Sequence, residues 1–357
     1  MQEKLYQTLS GLRAVLHACP EISGQETVTR TRITEFLTRH TSLTIHNCGA
    51  GFYAAHREEN VSRPGIVLRA DYDALALPGG GAAHLCGHDG HAAALCGAAL
   101  LLEGRTVDRN VFFLFQPAEE TGAGALACTE IFRLESAGEV YGAHNLPGLP
   151  LGEVYTRRDS FACASMGLTL RFAGAPTHAA YPEHGVSPAP AVGRLLEELP
   201  LLSHPTRYGG MTLCTVIGAN MGEKAFGAAA ANAEIWLTLR AHRQDDLQAL
   251  RRDILRRGEA LAVQHRLTFS FDEEDVFPAT ENDSACAQKV LALCHGSELP
   301  EPMRWSEDFG HYLQVCPGAF FGIGAGENCP PLHTRDYEYP DALLLPTAKA
   351  FLRLIEG

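Results

Sequence analysis

The stretch His84 to His91 concentrates side chains that can bind a metal ion. Within eight residues it holds three histidines, one cysteine and one aspartate, and the central run is Cys86-Gly87-His88-Asp89. Imidazole nitrogen and thiolate sulfur are the usual ligands of zinc sites. So many potential ligands within eight residues favour the interpretation that this stretch supplies part of a metal site, whose remaining ligands lie elsewhere in the chain. The alternative is a histidine-rich loop with one buried thiol.

Three predicted apolar strands end on polar side chains that could complete such a site. These side chains are Asp71 with Asp73, Glu119 with Glu120, and His144. In open α/β sheets, sites form where the carboxyl ends of the strands meet. We therefore expect these segments, which are far apart in sequence, to lie close together.

The two adjacent acids, Glu119 and Glu120, can have different roles in a hydrolytic metal site. One can bind metal while the other takes a proton from water and passes it to the leaving nitrogen. The alternative is the start of a helix, where the helix dipole favours acids.

The candidate metal ligands combine thiolate, imidazole and carboxylate, and they are Cys86, His88, Glu120, His144 and His333, with Glu119 beside them. This donor set predicts divalent ions, with zinc or manganese preferred and cobalt or nickel possible. Five ligands exceed what one tetrahedral ion needs when a water is counted. We therefore predict two ions that share a bridging ligand and lower the pKa of the water between them.

The elements that must position these residues alternate between strand and helix along the first part of the chain. This alternation predicts an α/β domain with a largely parallel sheet, formed by residues 1–161 and 275–357. A strand is expected to end at His144, and one helix is expected over residues 125–134. Between the two segments, the order β-α-β-β-α-β predicts an inserted ferredoxin-like α+β domain over residues 162–274.

Composition limits the classes of partner. The chain has 357 residues and a net charge of −13, which argues against nucleic acid. It has no apolar run long enough for a bilayer and no N-terminal signal pattern, so no membrane partner is expected. The eleven cysteines are an odd number without framework spacing, which predicts reduced thiols in a cytoplasmic protein. The ten cysteines other than Cys86 are expected in the core.

Several motifs together resemble the metal-dependent amidohydrolases of the aminoacylase/carboxypeptidase family. The branch they resemble most contains hippurate hydrolase, the auxin-conjugate hydrolases and N-acetyldiaminopimelate deacetylase. The matching motifs run in order along almost the whole chain, and they are Leu12-Arg13 with His17, Pro20-Glu21 and Glu26-Thr27, Arg69-Ala70-Asp71-Tyr72-Asp73-Ala74-Leu75, Cys86-Gly87-His88-Asp89-Gly90-His91, Phe115-Gln116-Pro117-Ala118-Glu119-Glu120, Gly142-Ala143-His144-Asn145, His178-Ala179-Ala180-Tyr181-Pro182, Ser306-Glu307-Asp308-Phe309 and Leu332-His333.

The resemblance implies a role for each matched residue. The five candidate ligands would form a dinuclear metallohydrolase centre with Cys86 as the bridge, and Glu119 would be the general base. Asp73 and Glu307 would orient the ligands. The inserted domain would be a lid and dimerisation domain of a homodimer. Its His178 would enter the active site of the partner subunit and steady the oxyanion, although a histidine taken alone is more often structural.

One departure from the family pattern concerns recognition of the substrate. Related sequences usually carry an Asn-x-x-Pro turn shortly before a strand-ending Arg, and these two side chains hold the α-carboxylate of the substrate. Here Arg240 is present, but Gly227 and Ala230 stand at the Asn and Pro positions. Carboxylate recognition would then rest on Arg240 alone, or the substrate would be unusual. Arg240 could also be an ordinary strand-end charge.

The predicted activity is hydrolysis of the amide bond of an N-acyl amino acid or a small conjugate, by a metal-bound hydroxide with Glu119 as base. A dipeptidase or carboxypeptidase of the same family is the nearest alternative. A catalytically silent metal-containing binding protein and a thiol enzyme that uses Cys86 also stay open. Four nearby residues are left without a specific role, and they are His84, His91, Asp71 and Asp89. For the two histidines, support of the ligands and simple packing are both open.

Overall fold

The computed structural model describes residues 2–357, which form two compact units. Unit 1 contains the residues up to Phe161 together with Thr280–Pro302 and Glu307–Gly357, and unit 2 contains Ala162–Ala279 and Met303–Ser306. The boundary predicted after residue 274 falls inside a strand that continues to Phe277. Among residues 2–357, no helix is both long and apolar enough to cross a membrane.

Ten α-helices are formed by the described residues. They are α1 (Gln2–His17), α2 (Thr27–His40), α3 (His88–Leu102), α4 (Gly124–Cys128), α5 (Ile131–Leu134), α6 (Ala189–Leu202), α7 (Gln244–His265), α8 (Ser284–Leu293), α9 (Gly310–Leu313) and α10 (Leu344–Glu356).

Eighteen strands, several of them only two or three residues long, are formed by the same residues. They are β1 (Thr44–Cys48), β2 (Gly51–His56), β3 (Gly65–Asp71), β4 (Leu75–Ala76), β5 (Ala82–Ala83), β6 (Val111–Gln116), β7 (Ala137–Leu146), β8 (Val154–Thr156), β9 (Ser160–Ala162), β10 (Ala164–Ala173), β11 (Thr177–His178), β12 (Thr212–Met221), β13 (Ala228–Ala229), β14 (Asn232–Ala241), β15 (Thr268–Phe277), β16 (Thr280–Glu281), β17 (Ser297–Glu298) and β18 (Gly318–Gly324).

Unit 1 is built on an eight-stranded sheet with the order β1-β2-β6-β3-β7-β18-β8-β17. The four central strands, β6, β3, β7 and β18, run parallel to one another. Strands β1 and β2 extend the sheet in antiparallel fashion at one side. The predicted α/β class with a mainly parallel sheet is confirmed. The carboxyl ends of the parallel strands therefore lie along one edge, as the sequence required.

Burial explains the composition of the central elements. All residues of β3, β6 and β18 are buried, which suits strands covered on both faces. Helix α3 is rich in alanine and is buried along almost its whole length. It packs with α1, α2 and α10 in the main core of the unit. Because α3 begins at His88, its burial fixes the first turn that carries the candidate ligands.

Unit 2 is a four-stranded antiparallel sheet with the order β12-β14-β10-β15, covered on one face by α6 and α7. With its two helices the unit has the connectivity β-α-β-β-α-β of a ferredoxin-like domain. Alternate residues of β14, such as Ile235, Leu237 and Leu239, enter the core below the helices. Strand β12 lies at an edge of the sheet and pairs only with β14 among the described residues.

Two local predictions were wrong. The strand expected to end at His144 continues to Leu146, because β7 pairs with β18 along that length. The helix expected over residues 125–134 is two short helices, α4 and α5, with Thr129 and Glu130 between them. Apolar spacing alone does not reveal such a break, because the buried residues Ala125, Cys128 and Ile131 keep the three-residue spacing of one continuous helix.

Candidate metal centre

The structure of unit 1 brings all five candidate ligands together in two groups. Cys86, His88 and His144 form one group, and Cys86, Glu120 and His333 form the other. Within each group, the potential ligand atoms lie within 4.8 Å of one another. Cys86 belongs to both groups, which is the arrangement that a bridging ligand requires.

Each ligand comes from a different part of the parallel sheet or its edge. His88 is the first residue of α3, Glu120 follows the carboxyl end of β6, and His144 lies within β7. His333 is in a loop, where its backbone N–H donates to the carbonyl of Leu85 at 2.8 Å. This hydrogen bond ties the His333 loop to the loop that carries Cys86. The side chain of His333 is 52% exposed, so the centre opens towards solvent on that side.

Unusual backbone angles occur beside the candidate ligands. Ala118 and His333 have φ values of +54° and +62°, which non-glycine residues seldom adopt. Such a conformation costs about 1–3 kcal/mol per residue. Gly87, between Cys86 and His88, has a φ of +96°. A Cβ there would lie 2.6 Å from the hydroxyl oxygen of Tyr337, so only glycine fits.

Asp73 connects two of the ligands. Its Oδ1 lies 3.0 Å from Nδ1 of His88, and its Oδ2 accepts hydrogen bonds from Ser23 Oγ at 2.7 Å and from the backbone N–H of Glu120 at 3.1 Å. A carboxylate at Nδ1 holds the proton on that nitrogen and leaves Nε2 to bind a metal. Asp73 therefore contacts both His88 and Glu120, which is the arrangement that its predicted orienting role requires.

Two buried polar atoms indicate that these groups can bind metal ions. Nε2 of His88 and Oε1 of Glu120 have no hydrogen-bond partner among the residues that the structure describes. Buried polar atoms in native proteins nearly always have a partner. Two such atoms, in groups that also contain Cys86, fit divalent ions better than they fit an empty polar pocket. The donor set of thiol, imidazole and carboxylate fits the same ions.

Electrostatics supports the same conclusion. Burial raises the pKa of Glu120 to about 7, and burial followed by the charge of Glu307 raises the pKa of Glu119 well above its usual range. Glu119 and Glu120 are thus buried among further acids, whose charges Arg69 only partly offsets. Divalent cations would favour the ionised carboxylates and relieve this repulsion.

Glu119 lies inside the centre but is placed differently from Glu120. Its Oε2 is 3.9 Å from Nε2 of His88, and its Oε1 accepts a long hydrogen bond of 3.4 Å from the backbone N–H of Asp308. Glu119 is absent from the two groups that share Cys86, but its carboxylate also lies within 4.8 Å of ligand atoms of His88 and Glu120. A buried carboxylate at this position, within reach of the ligands but hydrogen-bonded to a backbone N–H, can accept a proton when it is ionised.

Glu307, expected to orient the ligands, lies against Arg69 rather than against a ligand. Its Oε1 is 3.0 Å from Nη2 of Arg69, and both side chains are buried. Glu307 also forms a cluster with Glu119 and Asp308. No contact between Glu307 and a candidate ligand is found among these interactions, so its predicted orienting role stays a prediction.

His178 and Arg240 belong to unit 2. His178 is exposed on the two-stranded ribbon of β11 and β13, and its Nδ1 accepts the backbone N–H of Ala180 at 3.0 Å. Nη1 of Arg240 donates to Ser306 Oγ at 2.9 Å and to the carbonyl of Arg304 at 3.1 Å. Gly227 adjoins the ribbon, since its carbonyl accepts the N–H of Ala179, and a Cβ at Gly227 would meet open space.

The four residues left without a role are all buried. Asp71 Oδ1 lies 2.6 Å from His91 Nδ1, and His91 Nε2 lies 2.6 Å from Asn145 Oδ1. Asp89 lies 2.7 Å from Nδ1 of His17. Neither ring nitrogen of His84 has a hydrogen-bond partner among residues 2–357. These contacts connect the first turn of α3 with α1 through Asp89, and with β3 and β7 through His91.

All eleven cysteines are free thiols, and the core prediction holds for seven of the ten other than Cys86. Cys19, Cys214 and Cys329 are only partly buried. The prediction was too broad for these three because it treated every cysteine as a small apolar residue. Cys19, for example, lies just after α1, where the chain turns at the surface.

Sequence reasoning overlooked the individual parts of one buried polar network beside Glu119. Arg69, Gln116 and Asp308 occur in the motifs quoted above, but no role was predicted for any of them. All three are buried and hydrogen-bonded to one another. A signal was available, because an arginine inside the apolar run of β3 is rarely buried unless it is paired.

Comparison with known proteins agrees with the geometry. The family model described as "Peptidase family M20/M25/M40" matches residues 67–357. An N-acetyl-L-cysteine deacetylase of Bacillus subtilis (strain 168) is 31% identical over 342 residues, covering 90% of this chain and 81% of the relative. An N-acetyldiaminopimelate deacetylase of Leuconostoc citreum (strain KM20) is 26% identical over 382 residues, and the match covers 99% of this chain and 97% of the relative.

A solved structure shares the fold of the whole chain. It is a Bacillus subtilis protein described as a dinuclear metal-binding peptidase from the M20 family, with a TM-score of 0.85 and 24% identity over 100% of this chain and 98% of that one. The resemblance noted from the motifs is confirmed by the family match and by these relatives. The chain therefore belongs to peptidase family M20/M25/M40, and it is a metal-dependent amidohydrolase of that family.

Proposed function

We propose that this enzyme hydrolyses the amide bond of N-acyl amino acids or small related conjugates, with Glu119 as the general base. The observation that carries the proposal is the pair of ligand groups that share Cys86, with Glu119 buried beside them and outside both groups. The names of relatives support the substrate class, since both relatives described above are deacetylases of N-acetylated amino acids.

Two divalent ions are proposed as the cofactors, held by Cys86, His88, Glu120, His144 and His333. When bound, such ions lower the pKa of water and polarise an amide carbonyl. The mixed thiolate, imidazole and carboxylate donors support zinc or manganese, with cobalt or nickel as alternatives. The burial of Cys86, His88 and His144 supports a centre that excludes bulk water on one side.

Glu119 would move the proton. Glu119 is 6% exposed and lies beside the ligands, where bound cations would favour its ionised form. In that form it can take a proton from the attacking water. It would then give that proton to the departing nitrogen. Asp73 would keep His88 and Glu120 in place during the reaction through the contacts described above.

His178 would stabilise the oxyanion. Its Nδ1 accepts a backbone N–H, which leaves Nε2 as the nitrogen that carries the proton in the neutral ring. An exposed N–H of this kind can donate to the negative oxygen that develops during amide hydrolysis. Arg240 is proposed to bind the α-carboxylate, and its hydrogen bonds to Ser306 and Arg304 support a fixed orientation.

A homodimer through unit 2 is also proposed. Strand β12 is a sheet edge, and it exposes Val216, Ile217 and Met221 at 45%, 62% and 40%. A long edge strand with apolar side chains is suited to pair with another strand. The eleven free thiols support the predicted cytoplasmic location. Light scattering tests the dimer, which would have about twice the chain mass of 38.6 kDa.

The experiment that tests the proposed function measures amine release from a panel of N-acetyl and N-benzoyl amino acids, dipeptides and N-acyl amines that lack a carboxylate. The protein is loaded with manganese or zinc, and its metal content is measured in the same sample. We expect release from N-acyl amino acids and a loss of activity on chelation. Release from dipeptides alone would favour a dipeptidase. No release by metal-loaded protein would contradict the proposal.

A further inference from the structure

We propose that Arg69 is a positioning residue that holds the general base Glu119 in place through Asp308. This inference rests on the proposed role of Glu119, and its observations come from a buried network at the carboxyl ends of β3 and β6. Arg69 does not contact the two ligand groups, so its effect would pass through other side chains.

The side chain of Arg69 is completely buried and uses all of its nitrogens. Nε donates to Gln116 Oε1 at 2.7 Å, Nη1 donates to Asp71 Oδ2 at 2.7 Å, and Nη2 donates to Asp308 Oδ1 at 2.8 Å. Nη2 also lies 3.0 Å from Glu307. A planar fork of donors can serve these partners at once, whereas a lysine ammonium cannot.

Asp308 is the point where this network meets Glu119. Its carboxylate accepts hydrogen bonds from Arg69, from Gln116 Nε2 at 2.7 and 2.9 Å, and from the backbone N–H of Ala125 at 2.8 Å. So many donors fix the position of residue 308. Its own backbone N–H then points to Glu119 Oε1, at 3.4 Å.

The charge of Arg69 has a second consequence. Asp71, Glu307 and Asp308 would otherwise repel one another and Glu119 in a region without water. Arg69 supplies the positive charge that lets these acids pack beside the base. Without its fork, Glu307 and Asp308 would move apart, and the N–H donor to Glu119 would move with them.

A matched control exists at the other end of the same two strands. Arg109 is buried, and it donates to the carbonyl of Pro64 at 2.9 Å, just before β3, while its Nη2 lies 3.8 Å from Glu139. It lies near the amino ends of β3 and β6 and has no contact with Glu119 or Asp308 among its described contacts. Arg109→Lys therefore reports the general cost of changing a buried arginine.

The test compares Arg69→Lys and Arg109→Lys with the unsubstituted protein. Arg69→Lys keeps the buried charge but loses the fork. We expect kcat to fall about 10–100-fold, the usual cost of removing a partner that orients an active-site group. KM and metal content should stay unchanged, and Arg109→Lys should keep the kcat of the unsubstituted protein.

Crystal structures of the same three proteins supply a readout that does not depend on activity. In Arg69→Lys, the Glu119 carboxylate should move by about 1 Å, a displacement large enough to account for the loss of rate. If Arg69→Lys does not fold, Asp308→Asn tests the same connection, because its amide places an NH2 group against the donors Gln116 and Ala125.

The outcomes separate the two proposals. An unmoved Glu119 in Arg69→Lys, or a kcat that matches that of Arg109→Lys, would overturn the positioning role. An unsubstituted protein that releases no amine would overturn the proposed function. In that case the position of Glu119 in the crystal structures still decides whether Arg69 holds it.

Discussion

The metal centre of unit 1 and the His178 ribbon of unit 2 are constructed in opposite ways. At the centre, His88 and His144 are buried, and Asp73 fixes two ligands through hydrogen bonds. On the ribbon, His178 is exposed. Gly227 beside it has no side chain, and a Cβ built there would meet no atom within 4 Å other than those of its neighbours in the chain. The comparison indicates that the chemical step depends on a rigid set of groups. We propose that the choice of substrate depends instead on the ribbon, an exposed surface that can change without loss of the fold.

The largest effect should come from the ligand shared by both groups. Cys86→Ala is expected to lose both ions and reduce amine release to background, because each group would keep only two of its donors. Metal content is measured by plasma mass spectrometry after dialysis. Cys96→Ala is the matched control, since Cys96 is a buried cysteine of α3 outside both groups. Full metal content in Cys86→Ala would show that Cys86 is not a shared ligand.

The next effect should come from the residue that orients two ligands. Asp73→Asn is expected to weaken metal binding or activity about 10–100-fold, because the amide no longer holds His88 and Glu120 as the carboxylate does. Titration of metal-free protein with manganese measures the affinity. Asp108→Asn, a change to an exposed acid that caps a turn at Ser62, should leave it unchanged. Equal affinities in the two variants would argue that the ligands do not depend on Asp73.

Sequence patterns predicted the centre better than they predicted its surroundings. Strand ends singled out Glu119, Glu120 and His144, and the local density of donor residues singled out Cys86 and His88. The structure brings these side chains together because parallel strands place their carboxyl ends along one edge. The network of Arg69 and Asp308 joins residues separated by 239 positions. Local periodicity carries no information about such a contact. The same limitation hid the extension of β7 past His144, which depends on pairing with β18.

The smallest effect should appear on the ribbon and should change KM rather than kcat. Gly227→Asn adds a side-chain donor where a Cβ meets open space, so the fold should accept it. A hydrogen bond to a charged carboxylate is worth about 1.5–3 kcal/mol, and we therefore expect KM for N-acyl amino acids to fall about tenfold or more. N-acyl amines without a carboxylate should show no change.

Ala225→Asn provides the control for Gly227→Asn, because Ala225 is an exposed residue nearby. A fall in KM that also occurs for N-acyl amines, or that also occurs in Ala225→Asn, would argue against carboxylate recognition at residue 227. A change in kcat would contradict the separation between the rigid centre and the adaptable ribbon.

The most direct test of the central claim is the turnover of Glu119→Gln at matched metal content. Glutamine keeps the size of the side chain and can still accept from the N–H of Asp308, but it cannot take a proton. We predict that both ions remain bound and that kcat falls by about 10²–10⁴-fold, the contribution typical of a general acid–base group. Normal turnover by Glu119→Gln with both ions bound would contradict the assignment of Glu119 as the base.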